Sequence, residues 1–183
     1  MTGFTAHAVA ALSFAIGMSA MIASVPAEAA EDDVALAFPA DYKTEFTHYL
    51  TADRQNGTQI ISIYANDIAL NGARGDGKLP YGSILVGELT PALKDADGEP
   101  MQSMLGHLIG AEEMAAIAVM QRIEGNDAKW GEDLKVGDWA FDVFSPDGEN
   151  LGKDTTSCRE CHTPLTDSEF LYSYEHLAMK PLE

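Results

Sequence analysis

Both cysteines of the chain lie in one pentapeptide near the C-terminus, Cys158-Arg159-Glu160-Cys161-His162, and this placement constrains the fold more than any other feature. On a helical turn, residues i, i+3 and i+4 share a face, so two thiols and one imidazole emerge together. C-x-x-C-H is the attachment signature of a c-type haem. At this spacing both sulfurs reach the vinyl groups along one porphyrin edge, and the neighbouring imidazole points at the iron. Thr155, Thr156 and Ser157 precede the turn and are suited to cap it. Three rival readings exist. A thioredoxin-like dithiol follows a strand in a βαβ unit, and the stretch from His162 to Glu183 is too short to complete one. A structural zinc site needs a fourth ligand and usually a second cysteine pair. A plain disulfide is compatible with export.

A chain of 183 residues fits one domain with a core of its own. The 11 Lys and Arg against 29 Asp and Glu give a net charge of -18. Such a charge repels nucleic acid and anionic lipid and favours solubility and basic partners, with a solvated acidic surface that has no specific partner as the alternative. The first thirty residues stand apart. Ala8 to Val25 is apolar or small, Pro26 follows, and Ala27-Glu28-Ala29-Ala30 has the A-x-A form of a cleavage site before Glu31-Asp32-Asp33. This reads as a secretory signal peptide, residues 1–29, cut after Ala29 or Ala30, with a single c-type cytochrome domain over 30–183. The n-region carries His7 but no Lys or Arg, so an uncleaved anchor is the alternative. The expected location is the periplasm, with no membrane attachment after cleavage and no span in the body of the chain.

Along the mature chain, Tyr42, Phe46, Tyr49 and Leu50 fall at helical spacing. Asn56-Gly57 marks a turn, Gln59 to Ala65 a strand, Asn66 to Asn71 a short helix, and Gly72 to Gly82 a loop. Ser83 to Leu89 is a second strand; Asp95 to Gly110 reads as irregular, and Met114 to Ile123 as strand by the alternation of Ile117, Val119 and Ile123, with helix, which its alanines suit, as the alternative. Asp138 to Phe144 is a strand with Trp139, Phe141 and Val143 on one face. Thr166-Asp167-Ser168-Glu169 has the form of a capping box opening a last helix. The expected class is α+β, mainly antiparallel β-sheet with packed helices and a C-terminal haem-bearing helical segment.

Several landmarks follow one another in order: Phe38-Pro39-Ala40-Asp41-Tyr42, Ile63-Tyr64-Ala65-Asn66, Gly82-Ser83-Ile84-Leu85-Val86-Gly87-Glu88-Leu89, Asp138 to Phe144, then C-x-x-C-H before Asp167 and Phe170. In these the chain resembles the cytochrome P-460 family, which includes the cytochrome c′-beta proteins. The resemblance implies a mostly antiparallel β fold, usually a homodimer. It implies one covalent haem c, cofactor-binding residues Cys158, Cys161 and His162, and His162 as the iron ligand. It further implies five-coordinate iron, open to small gaseous or nitrogen-oxide ligands such as nitric oxide. Some members oxidise hydroxylamine and carry a lysine cross-linked to the haem. That position is Gly87 here, while Lys78 and Lys94 lie in flanking loops.

The expected function is therefore an exported mono-haem cytochrome binding small ligands. The alternatives are a periplasmic electron-transfer cytochrome with a basic redox partner, and a hydroxylamine-oxidising enzyme. Electron transfer requires a sixth iron ligand, for which Met101, Met104, Met114, Met120, Met179, His48, His107 and His176 are the candidates. By strand alternation Gly87 shares a face with Leu85 and Leu89. Glu88 reads as exposed. Asp142 reads as a solvent-facing strand residue, with a distal proton donor as the alternative.

Overall fold

The structure, a computed structural model, describes Met1, residues 33–75 and residues 77–181. The signal-peptide reading falls on residues outside these, Met1 excepted. The chain divides into two units, Met1–Ala30 and Glu31–Glu183, and every described helix and strand belongs to the second.

Five strands form an antiparallel meander in sequence order: β1 (Thr47–Asp53), β2 (Gln59–Ala65), β3 (Ile84–Pro91), β4 (Ala116–Arg122) and β5 (Trp139–Phe144). Helices α1 (Tyr42–Glu45), α2 (Asp67–Arg74), α3 (Thr156–His162) and α4 (Tyr174–Met179) complete an α+β fold. The β-branched run of β2 and the apolar strands beside it explain the sheet, because such side chains pack well on a pleated surface. Asn66 caps α2 by accepting from the Ala69 amide at 3.0 Å, and the helix runs on through Gly72 to Arg74.

Register sorts the residues onto two faces. On the first, Ala65, Leu85, Met120 and Phe141 stand side by side across β2 to β5. Beside them runs a row of Ile63, Gly87, Ala118 and Val143. Here α2 and α4 close a core of Tyr49, Leu70, Leu79, Trp139, Leu171 and Leu177, with Cys158 and Met120 packed against it. On the second face, Val86, Ile117, Val119 and Phe144 pack against Leu36 and Tyr42.

Three expectations are corrected. Tyr49 and Leu50 lie on β1, and the helical spacing from Tyr42 yields only the short α1. A register shift between His48 and Leu50 lets Tyr49 reach the core, where its hydroxyl meets Ser173 Oγ at 2.8 Å and burial raises the phenol's pKa to about 12. The capping box does not cap. Thr166–Ser168 is a single 3-10 turn, Glu169 takes a left-handed conformation (φ 52°), and α4 begins at Tyr174. Asp95 to Gly110 is not irregular throughout. It is bridged to the chain before it at Ala92–Gly110 and Lys94–Pro100, and to itself at Gln102–Leu108.

Glu88 is not exposed; its side chain retains 15% accessibility on the second face. It accepts from Tyr42 Oη at 2.6 Å and pairs with Lys43 Nζ at 2.9 Å. Burial pushes its carboxyl upward, but these donors outweigh it and hold the pKa below the ordinary 4.5. A carboxyl depressed on folding contributes stability that is present above its unfolded pKa and lost as pH falls through the folded one. Glu88→Gln is therefore expected to lower the melting temperature at neutral pH, and the gap to the parent protein should close below pH 4.5. A gap independent of pH would show that Glu88 acts by packing alone.

Candidate functional site

The C-x-x-C-H pentapeptide lies on α3, as its spacing predicts, so Cys158, Cys161 and His162 share one turn. Asp154, one residue before the N-cap position, accepts from the Thr156 amide at 2.9 Å. Thr155 does not cap; its hydroxyl donates to Asp33 Oδ2 at 2.8 Å. At the other end Thr163 closes the helix, its amide donating to the Arg159 carbonyl at 2.8 Å.

The two thiols are free and differ in setting. Cys161 is exposed, whereas Cys158 packs against the first-face core. Burial pushes the Cys158 thiol up, and the negative charge of Asp33 adds to this. A thiolate is the reactive form. In haem-free protein, iodoacetamide at mildly alkaline pH should therefore modify Cys161 well before Cys158, as read by peptide mass mapping. Equal rates would mean that α3 does not hold Cys158 against the core.

His162 is fixed on three sides. Its Nδ1 lies 2.6 Å from the Phe170 carbonyl oxygen. Its ring lies 5.1 Å from that of Phe141 at 57°, and 5.4 Å from that of Tyr172 at 77°. A carbonyl only accepts, so the proton sits on Nδ1 and Nε2 keeps a lone pair. Burial pushes the imidazole's pKa down against the opposing pull of the Phe170 carbonyl, so the ring is neutral at neutral pH. A histidine with Nδ1 held by a carbonyl has Nε2 oriented and available to a metal, and Nε2 makes no hydrogen bond among the described residues.

The carbonyl is aimed by a strained turn. Glu169 and Phe170 both take left-handed backbone, φ 52° and 62°, which is costly for residues with side chains. The surroundings over-determine it. Trp139 Nε1 donates to the Glu169 carbonyl at 3.0 Å, and Arg122 Nη1 meets the Glu169 carboxylate at 2.6 Å. Gly137 lies beneath, where a Cβ would come within 2.6 Å of the Phe170 ring.

The proposed sixth ligands scatter. Met101, Met104 and Met179 are exposed. Met114 packs against the second-face core. His48 lies over Tyr64 at 5.1 Å and bonds Thr51 Oγ1. His107 and His176 line a cleft of about 590 Å³ with Leu50, Ala52, Ile60 and Leu108. Met120 alone packs against the same core as Cys158. Asp142 is neither solvent-facing nor on the sheet face that α3 covers. It is buried on the second face, where Oδ2 accepts from Asn150 Nδ2 at 2.6 Å and from the Leu36 amide at 3.3 Å. Gly87 is buried on the first face, and a Cβ there would sit 2.8 Å from Ile61 Cδ1.

Sequence reasoning missed Arg159, Asp33, Asp127 and Phe170. Arg159, between the two cysteines, is fully buried. The left-handed Phe170 carries no glycine or asparagine to announce it.

Among the described residues no group of three or more His, Cys, Asp and Glu side chains could hold a metal ion, and all strand pairs are antiparallel. Neither the zinc nor the thioredoxin reading fits this arrangement. An antiparallel meander carrying two free thiols and an oriented histidine on one C-terminal turn suits the class of haem cytochromes. The chain belongs to the cytochrome P460 family, whose model matches residues 39–173. Membership implies that it binds haem. The chain matches no curated protein.

Proposed function

We propose that the protein is an exported mono-haem cytochrome holding haem c by thioether bonds to Cys158 and Cys161, with His162 as the only protein ligand to iron, and that it binds small uncharged ligands, nitric oxide above all. The observation that carries this reading is the Phe170 carbonyl bound to His162 Nδ1, which leaves Nε2 to face a metal. Bound there, haem supplies an iron that takes a diatomic gas. The chain does the rest. Cys158 and Cys161 fix the porphyrin edge, and the Phe141 and Tyr172 rings fix the imidazole plane. The first sheet face presents Gly87, Ala116, Ala118 and Val143, an apolar surface that favours neutral gases over anions.

Cleavage after Ala29 or Ala30, a periplasmic location, a homodimer and a basic redox partner belong to the same proposal. The net charge of -18 supports the last. Gly87 in place of a cross-linking lysine weighs against hydroxylamine oxidation. The second reading, electron transfer, is favoured by Met120, because it packs against the same core as Cys158.

The test is the absorption spectrum of purified holoprotein: oxidised, reduced, and reduced with carbon monoxide or nitric oxide. A high-spin ferrous spectrum that shifts on adding gas is expected. A sharp low-spin spectrum indifferent to gas would move the assignment to electron transfer, with Met120→Ala the variant to follow.

A further inference from the structure

We infer that Asp33 is a positioning residue of the site: the N-terminal segment, through this one carboxylate, holds α3 in register with Phe141 and so sets the orientation of His162. The inference rests on the reading of α3 as the haem-bearing turn.

The argument starts from Arg159, which lies between the two cysteines with its side chain wholly inaccessible. A guanidinium has five N–H donors, and here all five are used. Nε donates to Asp33 Oδ1 at 3.1 Å and Nη2 to the same oxygen at 2.5 Å. The second Nη2 hydrogen goes to the Trp139 carbonyl at 2.8 Å. Nη1 donates to Asp127 Oδ1 at 2.8 Å and to the Leu134 carbonyl at 2.9 Å. The guanidinium also lies over the Trp130 ring, 4.1 Å from its centroid. A buried charge is tolerated only when paired and hydrogen-bonded this fully.

Asp33 is the hub of the arrangement and the member most remote in sequence. Its side chain is 3% accessible. Besides Arg159, Oδ1 accepts from Asn126 Nδ2 at 3.0 Å. Oδ2 accepts from Thr155 Oγ1 at 2.8 Å and from the Phe141 amide at 3.2 Å. One carboxylate thus ties the start of α3 (Thr155), its middle (Arg159) and strand β5 (Phe141). Phe141 is the residue whose ring packs against His162. Asp33 belongs to none of the five strands, so the strand-to-strand ladder forms without it and only the Phe141 amide of β5 turns to it, while α3 is a short helix with little stability of its own.

The test compares the full-length protein with Asp33→Ala and Asp33→Asn. Glu88→Gln, on the other sheet face, serves as a control for general destabilisation. Two readouts are made: amide hydrogen exchange of haem-free protein, and the iron–histidine stretching band of reduced holoprotein by resonance Raman. Exchange across residues 156–163 is expected to rise at least about tenfold in Asp33→Ala, because a carboxylate satisfying buried donors is lost. Amides of β2, β3 and β4 should be unchanged. Asp33→Asn should be intermediate, and it carries the test if Asp33→Ala fails to fold. The iron–histidine band should broaden or shift in both Asp33 variants and stay in place in Glu88→Gln. A rise spread evenly over all strands, or an unmoved band, overturns the inference. If α3 loosens as expected but the parent protein carries no covalent haem, the functional reading fails and the positioning role of Asp33 on α3 stands. If haem attaches and gas binds while the Asp33 variants match the parent, the inference fails and the functional reading stands.

Discussion

Replacing Arg159 with methionine is expected to destabilise the folded chain by roughly 3–5 kcal/mol, the usual cost of removing one partner from a buried ion pair. Methionine roughly fills the space, so the loss does not come from a cavity. It comes from what is left behind. Asp33 and Asp127, with side chains 3% and 12% accessible, would face each other without a counter-charge. The Leu134 and Trp139 carbonyls would lose donors as well. For a domain of this size each kcal/mol shifts the melting temperature by about 2–4 °C, so a drop of roughly 6–20 °C is expected. Arg159→Lys keeps the charge but not the planar fork, and should fall between the two. Adding Asp33→Asn and Asp127→Asn to Arg159→Met should recover part of the loss, since the stranded charges go with them. Chemical denaturation of all four proteins measures this. A loss under about 1 kcal/mol for Arg159→Met would mean that water reaches the cluster and screens it.

The same cluster shows where the sequence was readable and where it was not. The strands were legible because β2 to β5 carry apolar residues on both faces, which periodicity and β-branching report locally. The C-x-x-C-H turn was legible because three chemical groups at fixed spacing have few uses. Tyr49 misled because its helical spacing from Tyr42 coincides with inward-facing positions on a strand after a register shift. Glu169 misled because its carboxylate is drawn to Arg122, a partner on β4, rather than back to the helix end that local spacing implies. Asp142 and Glu88 looked exposed because alternation tells only which face a residue is on. Whether that face is covered depends on Leu36 and Tyr42, which come from the N-terminal segment. Arg159 and Asp33 are separated by 126 residues, and no local pattern announces such a pairing. Local spacing showed that two thiols and an imidazole share one helical turn; what it concealed was the support that orients them.

Replacing His162 with glycine is the most direct test of the site itself. The neutral imidazole, held at Nδ1 by Phe170, is the group proposed above to meet iron. Loss of a hydrogen-bond partner to a metal ligand commonly costs ten- to hundredfold in affinity or activity, and loss of the ligand itself should cost at least the upper end of that range, about a hundredfold. Cys158 and Cys161 are untouched in this variant, so haem should stay with the chain through denaturing electrophoresis. The spectrum of histidine-bound ferrous iron should vanish, and the gas-bound spectrum should differ from the parent's. Added imidazole should restore both, because the glycine leaves a space beside Phe141 and Tyr172 bounded by the Phe170 carbonyl, the same acceptor that held the ring. Rescue by imidazole but not by a bulkier amine would show that the space is shaped by those rings. A His162→Gly protein with an unchanged ferrous spectrum would remove His162 as the ligand and, with it, the reason for the left-handed turn that presents the Phe170 carbonyl.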